Sequence, residues 1–564
     1  MESARWVWQD HFDHPTDWAQ DVPPLSLPAM FKATTDKDGT KPLIDFYGRR
    51  YSYAECYNGA RRFACGLIAL GVEPGDRVGL YLPNVPHYIV AYYGAMMAGA
   101  VAVNFSPLYT VEELVHQAND SGIRLLVTLS AKPLFSNALA MLDHCPFVER
   151  LAVGSIAGAL PAGKALFYRL FKQHGSDTPV PNDARILSFS SLLANGGALP
   201  LPSIDPERDL ALLQYTGGTT GRPKGAMLTH QNLSANARQV NLIDPWRGQD
   251  DRILGVLPFF HVFANTAVLN RTVANGGEIV MLPRFDAKQA LAAIQRVRVT
   301  SVPGVPTMFQ ALLDSPDLAR ADLSSVRVCI SGGAPLPLSL KDQFEAAVGT
   351  RLIEGYGLTE SSGVVSANPY DKAGKGGSIG QPLPDTRVKL LDRENPRREA
   401  PAGEPGELAV AGPQIMRGYW NNPAADAEVF AGDYLRTGDV GMIDADGYLH
   451  IVDRIKDMIA VGGFKVFPSQ VEAVLYRHPA VREALVIGIP DAYSGERPKA
   501  FVTLHPDASP EWDGPALMDW LNPQVGKHER VVAVEIRDML PKTLVGKLSR
   551  KELVEEERIK AKAG

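Results

Sequence analysis

The segment Tyr215-Thr-Gly-Gly-Thr-Thr-Gly-Arg-Pro-Lys-Gly225 carries the clearest structural signal in this chain. It follows the apolar run 210–214 and precedes a helix-like start at Thr229. Its glycines permit a tight backbone turn, and its threonine hydroxyls and Lys224 can donate hydrogen bonds to phosphate oxygens. The pattern predicts a loop that wraps a polyphosphate with backbone N–H groups. It differs from the GxxxxGK[ST] loop, because its lysine follows a proline and precedes a glycine.

Short apolar runs alternate with helical stretches on both sides of this loop. Such alternation predicts an α/β fold with largely buried sheets. Residues 154–204, rich in Gly, Ala, Pro and Ser, are predicted to be an insertion, and the polar, Pro-rich residues 392–406 a surface turn between strands. We interpret six of the apolar runs as strands: 77–82, 124–129, 210–214, 252–257, 278–282 and 326–330.

A domain boundary is predicted near Asp453-Arg454-Ile455-Lys456. The residues after it have their own strand–helix alternation and nearly balanced charge, so they are not a basic nucleic-acid module. The predicted domains are therefore residues 1–453 and residues 454–564.

Composition places the chain among ordinary globular proteins. It has 564 residues, 45% of them hydrophobic, a net charge of -6 and a pI near 6.1, which argues against disorder and against non-specific nucleic-acid binding. The N-terminus lacks the basic-then-apolar pattern of a signal peptide, and the longest uncharged apolar stretch, 88–103, is too short to span a membrane. We expect a cytoplasmic protein, in keeping with four scattered cysteines: Cys56, Cys65, Cys145 and Cys329.

Six further motifs follow the glycine-rich loop in a fixed order: LPFFHVFA at 257–264, SGGAPLP at 331–337, YGLTE at 356–360, YLRTGD at 434–439, DRIKDMIAVGGFKVFPSQVE at 453–472 and PKTLVGKLSRKEL at 541–553. Together with that loop they resemble the adenylate-forming superfamily of acyl-CoA synthetases, beetle luciferases and peptide-synthetase adenylation domains. The match runs from about residue 30 to residue 555 and is most similar to bacterial long-chain fatty-acid–CoA ligases. The resemblance implies a large N-terminal domain of stacked sheets with helices, and a small mobile α+β C-terminal domain.

This resemblance implies a two-step reaction. A fatty-acid carboxylate attacks the α-phosphorus of ATP to give acyl-AMP and pyrophosphate, and the thiol of coenzyme A then displaces AMP. Magnesium would neutralise the phosphates. By the resemblance, Lys547 is the catalytic lysine of the first step, because its ammonium can meet the charge that develops on the α-phosphate.

The same resemblance assigns the other site residues. Glu360 and Thr220 match metal ligands, Thr359 a ligand of the α-phosphate, and His261 a residue between carboxylate and nucleotide. Asp439 matches the ribose-binding carboxylate, which can accept two hydrogen bonds. The matched ATP and coenzyme A contacts are Tyr215, Thr216, Gly217, Gly218, Thr219, Thr220, Gly221, Lys224, Gly333, Ala334, Gly355, Tyr356, Gly357, Asp439, Arg454, Lys456, Gly462 and Gly463.

Lys456 matches the hinge of the family. The C-terminal domain would rotate about it between two poses, one presenting Lys547 and the other the Gly462-Gly463 loop together with a path for coenzyme A. Two poses resolve a geometric conflict, because one face cannot present both groups at once.

Several alternatives stay open at the level of sequence. They are a medium-chain or dicarboxylic acid–CoA ligase, an acyl-AMP ligase, an amino-acid-type adenylating enzyme, a luciferase-type oxygenase and a non-catalytic scaffold. The absence of an acidic residue in 261–266 and the end of the chain soon after Lys547 argue against an amino-acid activator that loads a carrier. The segment 376–380 fits GxSxG, but no strand-like run precedes it.

Residues 163–172 (GKALFYRLFK) are predicted to form a short basic amphipathic helix. Helical spacing puts Leu166, Phe167, Leu170 and Phe171 on one face, with basic residues opposite. Such a helix can lie on the inner face of an anionic membrane, although a surface helix docked on its own domain is the simpler interpretation. The oligomeric state is open, with a homodimer as one option.

Overall fold

The computed structural model of the chain describes residues 5–172, 176–196, 199–216, 223–491, 493–543 and 546–563. Within these ranges the strands form four sheets, and helices cover the two largest of them. The longer helices are Leu27–Asp38, Tyr53–Ala69, Pro86–Met97, Val111–Ser121, Leu134–His144, His230–Leu242, Ala287–Val297, Pro306–Leu313, Leu338–Val348, Pro468–Leu475, Gly514–Leu521 and Arg550–Ala563.

The largest sheet has nine strands and is parallel through its centre. Its edge strands pair antiparallel, so short loops suffice there. In spatial order the strands are Gln381–Pro382, Ser366–Ala367, Leu352–Tyr356, Val328–Gly332, Ser301–Gly304, Arg252–Gly255, Glu278–Met281, Pro42–Phe46 and Arg49–Ser52.

The second sheet has seven strands, and all but its last pair are parallel. The helices Tyr53–Ala69 and Pro86–Met97 belong to the apolar core that it shares with the nine-stranded sheet. In spatial order its strands are Ile186–Ser188, Arg150–Gly154, Ile123–Leu129, Arg77–Leu80, Val101–Asn104, Leu210–Tyr215 and Gly225–Thr229.

Two five-stranded sheets follow along the chain. The first contains Arg387–Leu391, Gly406–Ala411, Phe430–Ala431, Tyr434–Ile443 and Leu449–Arg454. The second contains Ile459–Val461, Phe464–Val466, Val481–Asp491, Gly495–Leu504 and Val534–Ile536, and it packs an apolar core of its own against two helices.

The predicted α/β class with a smaller C-terminal unit is confirmed. All six predicted strands exist with ends shifted by one or two residues; the run 252–257, for example, is a strand only over Arg252–Gly255. Thr229 caps the helix His230–Leu242, because its side chain accepts a hydrogen bond from the Asn232 amide. Residues 392–405 connect two antiparallel strands, in keeping with the predicted surface turn.

Other sequence-based predictions agree with the described residues. The stretch 88–103 belongs to the helix Pro86–Met97 and the strand Val101–Asn104. All four cysteines are buried and free. Among the described helices, none has both the length and the apolar character needed to cross a membrane.

Candidate active site

The candidate site lies where carboxyl ends of parallel strands from the two largest sheets meet. Val328–Gly332 and Leu352–Tyr356 lead directly into the SGGAPLP and YGLTE motifs, and Leu210–Tyr215 leads into the glycine-rich loop. Strand ends of this kind leave backbone groups free for a ligand. The resulting cleft has a volume of about 1730 Å³, enough for a nucleotide and an acyl chain together.

Most of the predicted site residues line this one cleft. Residues 217–222, which include Gly217, Gly218, Thr219, Thr220 and Gly221, lie outside the described residues. Gly462 and Gly463 form the turn of a hairpin and do not line the cleft. The residues that line it are Tyr215, Thr216, Lys224, His261, Gly333, Ala334, Gly355, Tyr356, Gly357, Thr359, Glu360, Asp439, Arg454, Lys456 and Lys547.

Asp439 is buried and fixed from two sides. Its Oδ2 accepts a hydrogen bond of 2.5 Å from the Tyr356 hydroxyl, and its Oδ1 lies 3.1 Å from Nε of Arg454. Asp439 and Arg454 are direct partners on adjacent strands, so the backbone register itself brings them together. Burial raises the pKa of the Asp439 carboxyl, and the Arg454 charge and the Tyr356 hydrogen bond offset part of this rise.

Glu360 is oriented by a tyrosine that the sequence motifs did not include. The Tyr419 hydroxyl donates a 2.6 Å hydrogen bond to Oε1 of Glu360, and Nζ of Lys224 lies 5.1 Å from the centre of the Tyr419 ring. Tyr419 therefore links the base of the glycine-rich loop to the predicted metal ligand. It lies 59 residues from Glu360 in sequence, in no motif that would have revealed the contact.

The glycine-rich loop is closed at its base by backbone and side-chain contacts. The Thr216 amide donates to the Lys224 carbonyl at 2.9 Å, and the Tyr215 hydroxyl donates to the Asp120 carboxylate. A Cβ atom on Gly225 would lie 3.1 Å from the Tyr215 ring, so the ring and this glycine pack closely. The Tyr215 hydroxyl is thus engaged within the protein, by an aspartate that the sequence analysis missed.

Lys547 enters the cleft on a tight turn of the C-terminal sequence. The Thr543 amide donates to the Lys547 carbonyl at 2.7 Å, and the Thr307 hydroxyl donates to the Gly546 carbonyl at 2.9 Å. The lysine side chain lies against Gly333, where an added Cβ would approach its Cε to 2.5 Å. A side chain at 333 would therefore displace the end of this lysine, and the positive φ of 82° independently favours glycine there.

Burial and neighbouring cations disfavour positive charge at this point of the cleft. Burial, reinforced by the Arg454 charge, lowers the pKa of Lys547 to about 8. Burial also lowers the pKa of His261 to about 3, with a further contribution from Lys547. His261 is therefore neutral near pH 7, and its Nδ1 accepts a hydrogen bond from the Phe263 amide at 3.3 Å. Such a histidine can shape the site but cannot carry a positive charge there.

Lys456 lies at the end of the large cleft, just beyond the strand Leu449–Arg454. Burial and the Arg454 charge lower the pKa of Lys456. The adjacent Asp457 lies 3.2 Å from Arg550, which also pairs with Glu472 at 2.6 Å. This ionic cluster joins the start of the last helix to the segment after Lys456, and no motif predicted it.

The comparisons with known proteins agree with this geometry. The family model described as AMP-binding enzyme matches residues 31–420, and the model described as AMP-binding enzyme C-terminal domain matches residues 470–547. A long-chain-fatty-acid–CoA ligase of Bacillus subtilis is 39% identical over 97% of this chain and 97% of its own length. A feruloyl-CoA synthase of an Amycolatopsis species is 38% identical over 90% of this chain and 94% of its own.

Two solved structures are also similar. The anthranilate CoA ligase AuaEII in complex with anthranoyl-AMP has a TM-score of 0.85 at 27% identity and covers 96% of this chain and 99% of its own. ATP-bound MatB from Rhodopseudomonas palustris has a TM-score of 0.81 at 30% identity and covers 94% of this chain and 99% of its own.

The buried Lys547 ammonium should make the stability of the free protein depend on pH. The pKa of Lys547 is about 8 in the folded protein and 10.5 in the unfolded chain. Between these two pH values the unfolded chain binds more protons, so the free energy of unfolding rises with pH. The destabilisation of the folded protein by the charged Lys547 is fully present below pH 8 and amounts to about 3 kcal/mol at most. We expect Lys547→Met to have the higher free energy of unfolding at pH 7 and to lose this advantage toward pH 10.

Urea unfolding of both proteins at pH 7, 8 and 9.5 measures this difference. Lys465→Met, which alters an exposed lysine, is the control and should follow the wild type at every pH. Parallel curves for Lys547→Met and the wild type would contradict a buried, costly ammonium.

Proposed function

The chain belongs to the AMP-binding enzyme family, and on that premise we propose that it is an ATP-dependent long-chain fatty-acid–CoA ligase. The observation that carries the proposal is the convergence of Lys224, Glu360, Asp439 and Lys547 on one cleft that continues into an apolar branch. Lys224 and Glu360 follow strand ends, Asp439 lies within the strand Tyr434–Ile443, and Lys547 comes from the C-terminal sequence. The names of relatives at 35–39% identity over nearly the whole chain support the acyl class.

The polar part of the cleft fits ATP. The Asp439 carboxylate can accept hydrogen bonds from ribose hydroxyls, and the strip Gly333, Ala334 and Gly355 offers close backbone approach to a flat base. Tyr356 and Gly357 continue this strip toward Thr359. The surrounding cations Lys224, Arg454 and Lys456, with the glycine-rich segment 217–222, complete the proposed phosphate site.

Lys547 has the proposed catalytic role in adenylation. A pKa near 8 leaves most of its ammonium charged at pH 7, and an anionic nucleotide would favour that charge further. Negative charge develops around the α-phosphorus as the acid attacks, and an ammonium held beside it stabilises that charge. His261, being neutral, would bound the space between the acid and the nucleotide without adding a second positive charge.

The donor set around Glu360 fits Mg²⁺. Magnesium typically binds through one or two carboxylates together with substrate phosphates, and among the described residues no cluster of three or more metal-ligating side chains competes with that arrangement. Glu360 is the proposed ligand, with Thr359 beside it and Thr220 from the glycine-rich segment. When bound, the metal would neutralise phosphate charge.

Thioester formation is proposed to follow a rotation about Lys456. In the described structure Lys547 occupies the cleft, while the Gly462–Gly463 turn lies outside it next to the exposed Phe464. Exchange of these two elements would remove the lysine and open a path for the coenzyme A thiol. The domain division at residues 453 and 454 is part of the same proposal.

The proposed function is tested by pyrophosphate release and thioester formation across a panel of acids. With ATP and Mg²⁺, we expect both to rise from hexanoate through decanoate to palmitate and to depend on coenzyme A. Preference for p-coumarate or adipate would agree with the proposed mechanism but would contradict the proposed long-chain substrate class. Pyrophosphate without thioester would indicate an acyl-AMP ligase or an oxygenase, and no release with any acid would favour a scaffold.

Lys547→Met separates the two proposed steps. We expect acyl-AMP formation to fall at least a hundredfold, because the transition-state charge loses its ammonium. Transfer from supplied acyl-AMP to coenzyme A should stay within threefold of the wild type, since the second pose does not use this lysine. Equal loss of both half-reactions would overturn the two-pose proposal. Lys288→Met, at an exposed lysine outside the cleft lining, should leave both unchanged.

We also propose peripheral contact of residues 163–172 with an anionic membrane. The segment forms the helix Ala162–Phe167 followed by a wider π-helical turn, Tyr168–Lys172. Leu166, Phe167 and Leu170 are all more than half exposed, while Lys164 points back and donates to the Tyr47 carbonyl at 2.9 Å. Exposed apolar side chains grouped on one short helix are typical of interfacial contact.

Liposome flotation tests this contact. Leu166→Glu/Leu170→Glu should reduce binding to vesicles containing phosphatidylglycerol by about tenfold, because two charges would enter the interface. The double change Leu166→Ala/Leu170→Ala should weaken binding less. Equal flotation of all three proteins would show that the helix serves another purpose.

A further inference from the structure

An apolar branch of the large cleft runs away from the nucleotide side along one helical face. Phe263, Ala267 and Arg271 line the cleft at intervals of four residues in the continuous helical run 262–275. Most of this stretch, Asn265–Asn270, is π-helical. The remaining lining of this branch is apolar or small: Val240, Ile330, Gly332, Gly363, Val364 and Ala367.

The far end of this branch is a charged wall. The Arg271 side chain is only 2% exposed and lies 2.5 Å from Asp244 and 2.9 Å from Asp251. Asp251 also accepts a hydrogen bond from the Thr300 hydroxyl at 2.7 Å, so the cluster is held in place by the strand region behind it. Burial lowers the pKa of Arg271, but the two neighbouring carboxylates raise it by more. The pKa of Arg271 therefore lies above its ordinary value.

Two polar groups of this wall lack protein partners. Among the described residues, Nε of Arg271 makes no hydrogen bond, although it is buried. Tyr370 lines the same cleft and is 3% exposed, and no side-chain hydrogen bond of its hydroxyl is found among the described residues. Burial raises the pKa of the Tyr370 phenol, so it stays protonated and can both donate and accept.

The charge around these groups selects the kind of ligand they would accept. One guanidinium faces two carboxylates, so a third carboxylate would meet repulsion from Asp244 and Asp251. A methyl group would leave the polar groups unsatisfied, which is unfavourable at a buried position. A neutral oxygen satisfies both conditions, because it can accept from the Tyr370 hydroxyl and, as a hydroxyl, donate in return.

We propose that Tyr370, beside the Arg271 ion-pair cluster, forms a subsite for a neutral oxygen at the ω end of the acyl chain, so that ω-hydroxy fatty acids are substrates of this protein. The subsite acts only on chains long enough to cross the apolar branch. The proposal rests on the proposed acyl-CoA ligase function and adds the chemical class of the distal end. Tyr370 is a specificity-determining residue, remote from the reacting carboxylate.

The test compares three acids at each even chain length from C10 to C18: the methyl-terminated acid, its ω-hydroxy counterpart and the α,ω-dicarboxylic acid. We measure kcat/KM for thioester formation. For short chains the hydroxyl falls in the apolar branch and the hydroxy acid should be the poorer substrate. At the length that reaches the wall, the hydroxy acid should match or exceed the methyl-terminated acid and exceed the dicarboxylic acid.

Tyr370→Phe supplies the decisive variant. It removes one oxygen that has no described protein partner, so folding should be preserved. At the chain length that reaches the wall, we expect the ratio of kcat/KM for the ω-hydroxy acid to that for the methyl-terminated acid to fall about tenfold. The kcat/KM for methyl-terminated acids should stay within twofold of the wild-type value. Tyr81→Phe, a fully buried tyrosine outside the cleft lining, is the control and should leave the ratio unchanged.

Three results would each contradict the proposed subsite. They are a hydroxy-to-methyl ratio of kcat/KM below one at all chain lengths, a ratio that Tyr370→Phe does not change, and preference for the dicarboxylic acid. These results are distinct from failure of the proposed function, in which no acid of the series forms a thioester. In that case the subsite proposal falls with it.

Discussion

The buried carboxylate of Asp439 joins parts of the chain that are far apart in sequence. It accepts from Tyr356, which ends a central strand of the nine-stranded sheet, and it pairs with Arg454, which ends the last strand before the predicted hinge. A buried carboxylate that lost these partners would be left uncompensated, at a large free-energy cost. The nucleotide side of the cleft and the entry to the C-terminal sheet are therefore positioned by the same atoms.

Four cations line the proposed nucleotide side of the cleft: Lys224, Arg454, Lys456 and Lys547. Arg454 pairs with Asp439 within the protein. Burial first, and then the Arg454 charge, lowers the pKa values of Lys456 and Lys547. A polyanion such as ATP would favour the charged forms of both lysines, so its binding would offset the effect of burial.

Local sequence patterns predicted much of this arrangement, and contacts between distant segments account for the rest. The alternation of apolar runs gave the fold class and the six strands, because it reports which residues are buried. The motifs gave the residues at strand ends, because those positions depend on local turn chemistry. Tyr419 with Glu360, and Asp120 with Tyr215, could not be inferred, since each pair meets only through tertiary packing across 59 and 95 residues.

The surroundings of Arg271 and Tyr370 also could not be predicted from local sequence patterns. A lone arginine in an apolar helical run indicates either an exposed edge or a buried ion pair, and only the folded chain distinguishes the two. Here Asp244 and Asp251 hold the guanidinium within the protein, its Nε is enclosed without a hydrogen-bond partner among the described residues, and the neighbouring Tyr370 lines the cleft. A wall made only to close an apolar cavity would be most stable if it were apolar. A charged wall that leaves polar groups unsatisfied is instead consistent with selection for what binds against it.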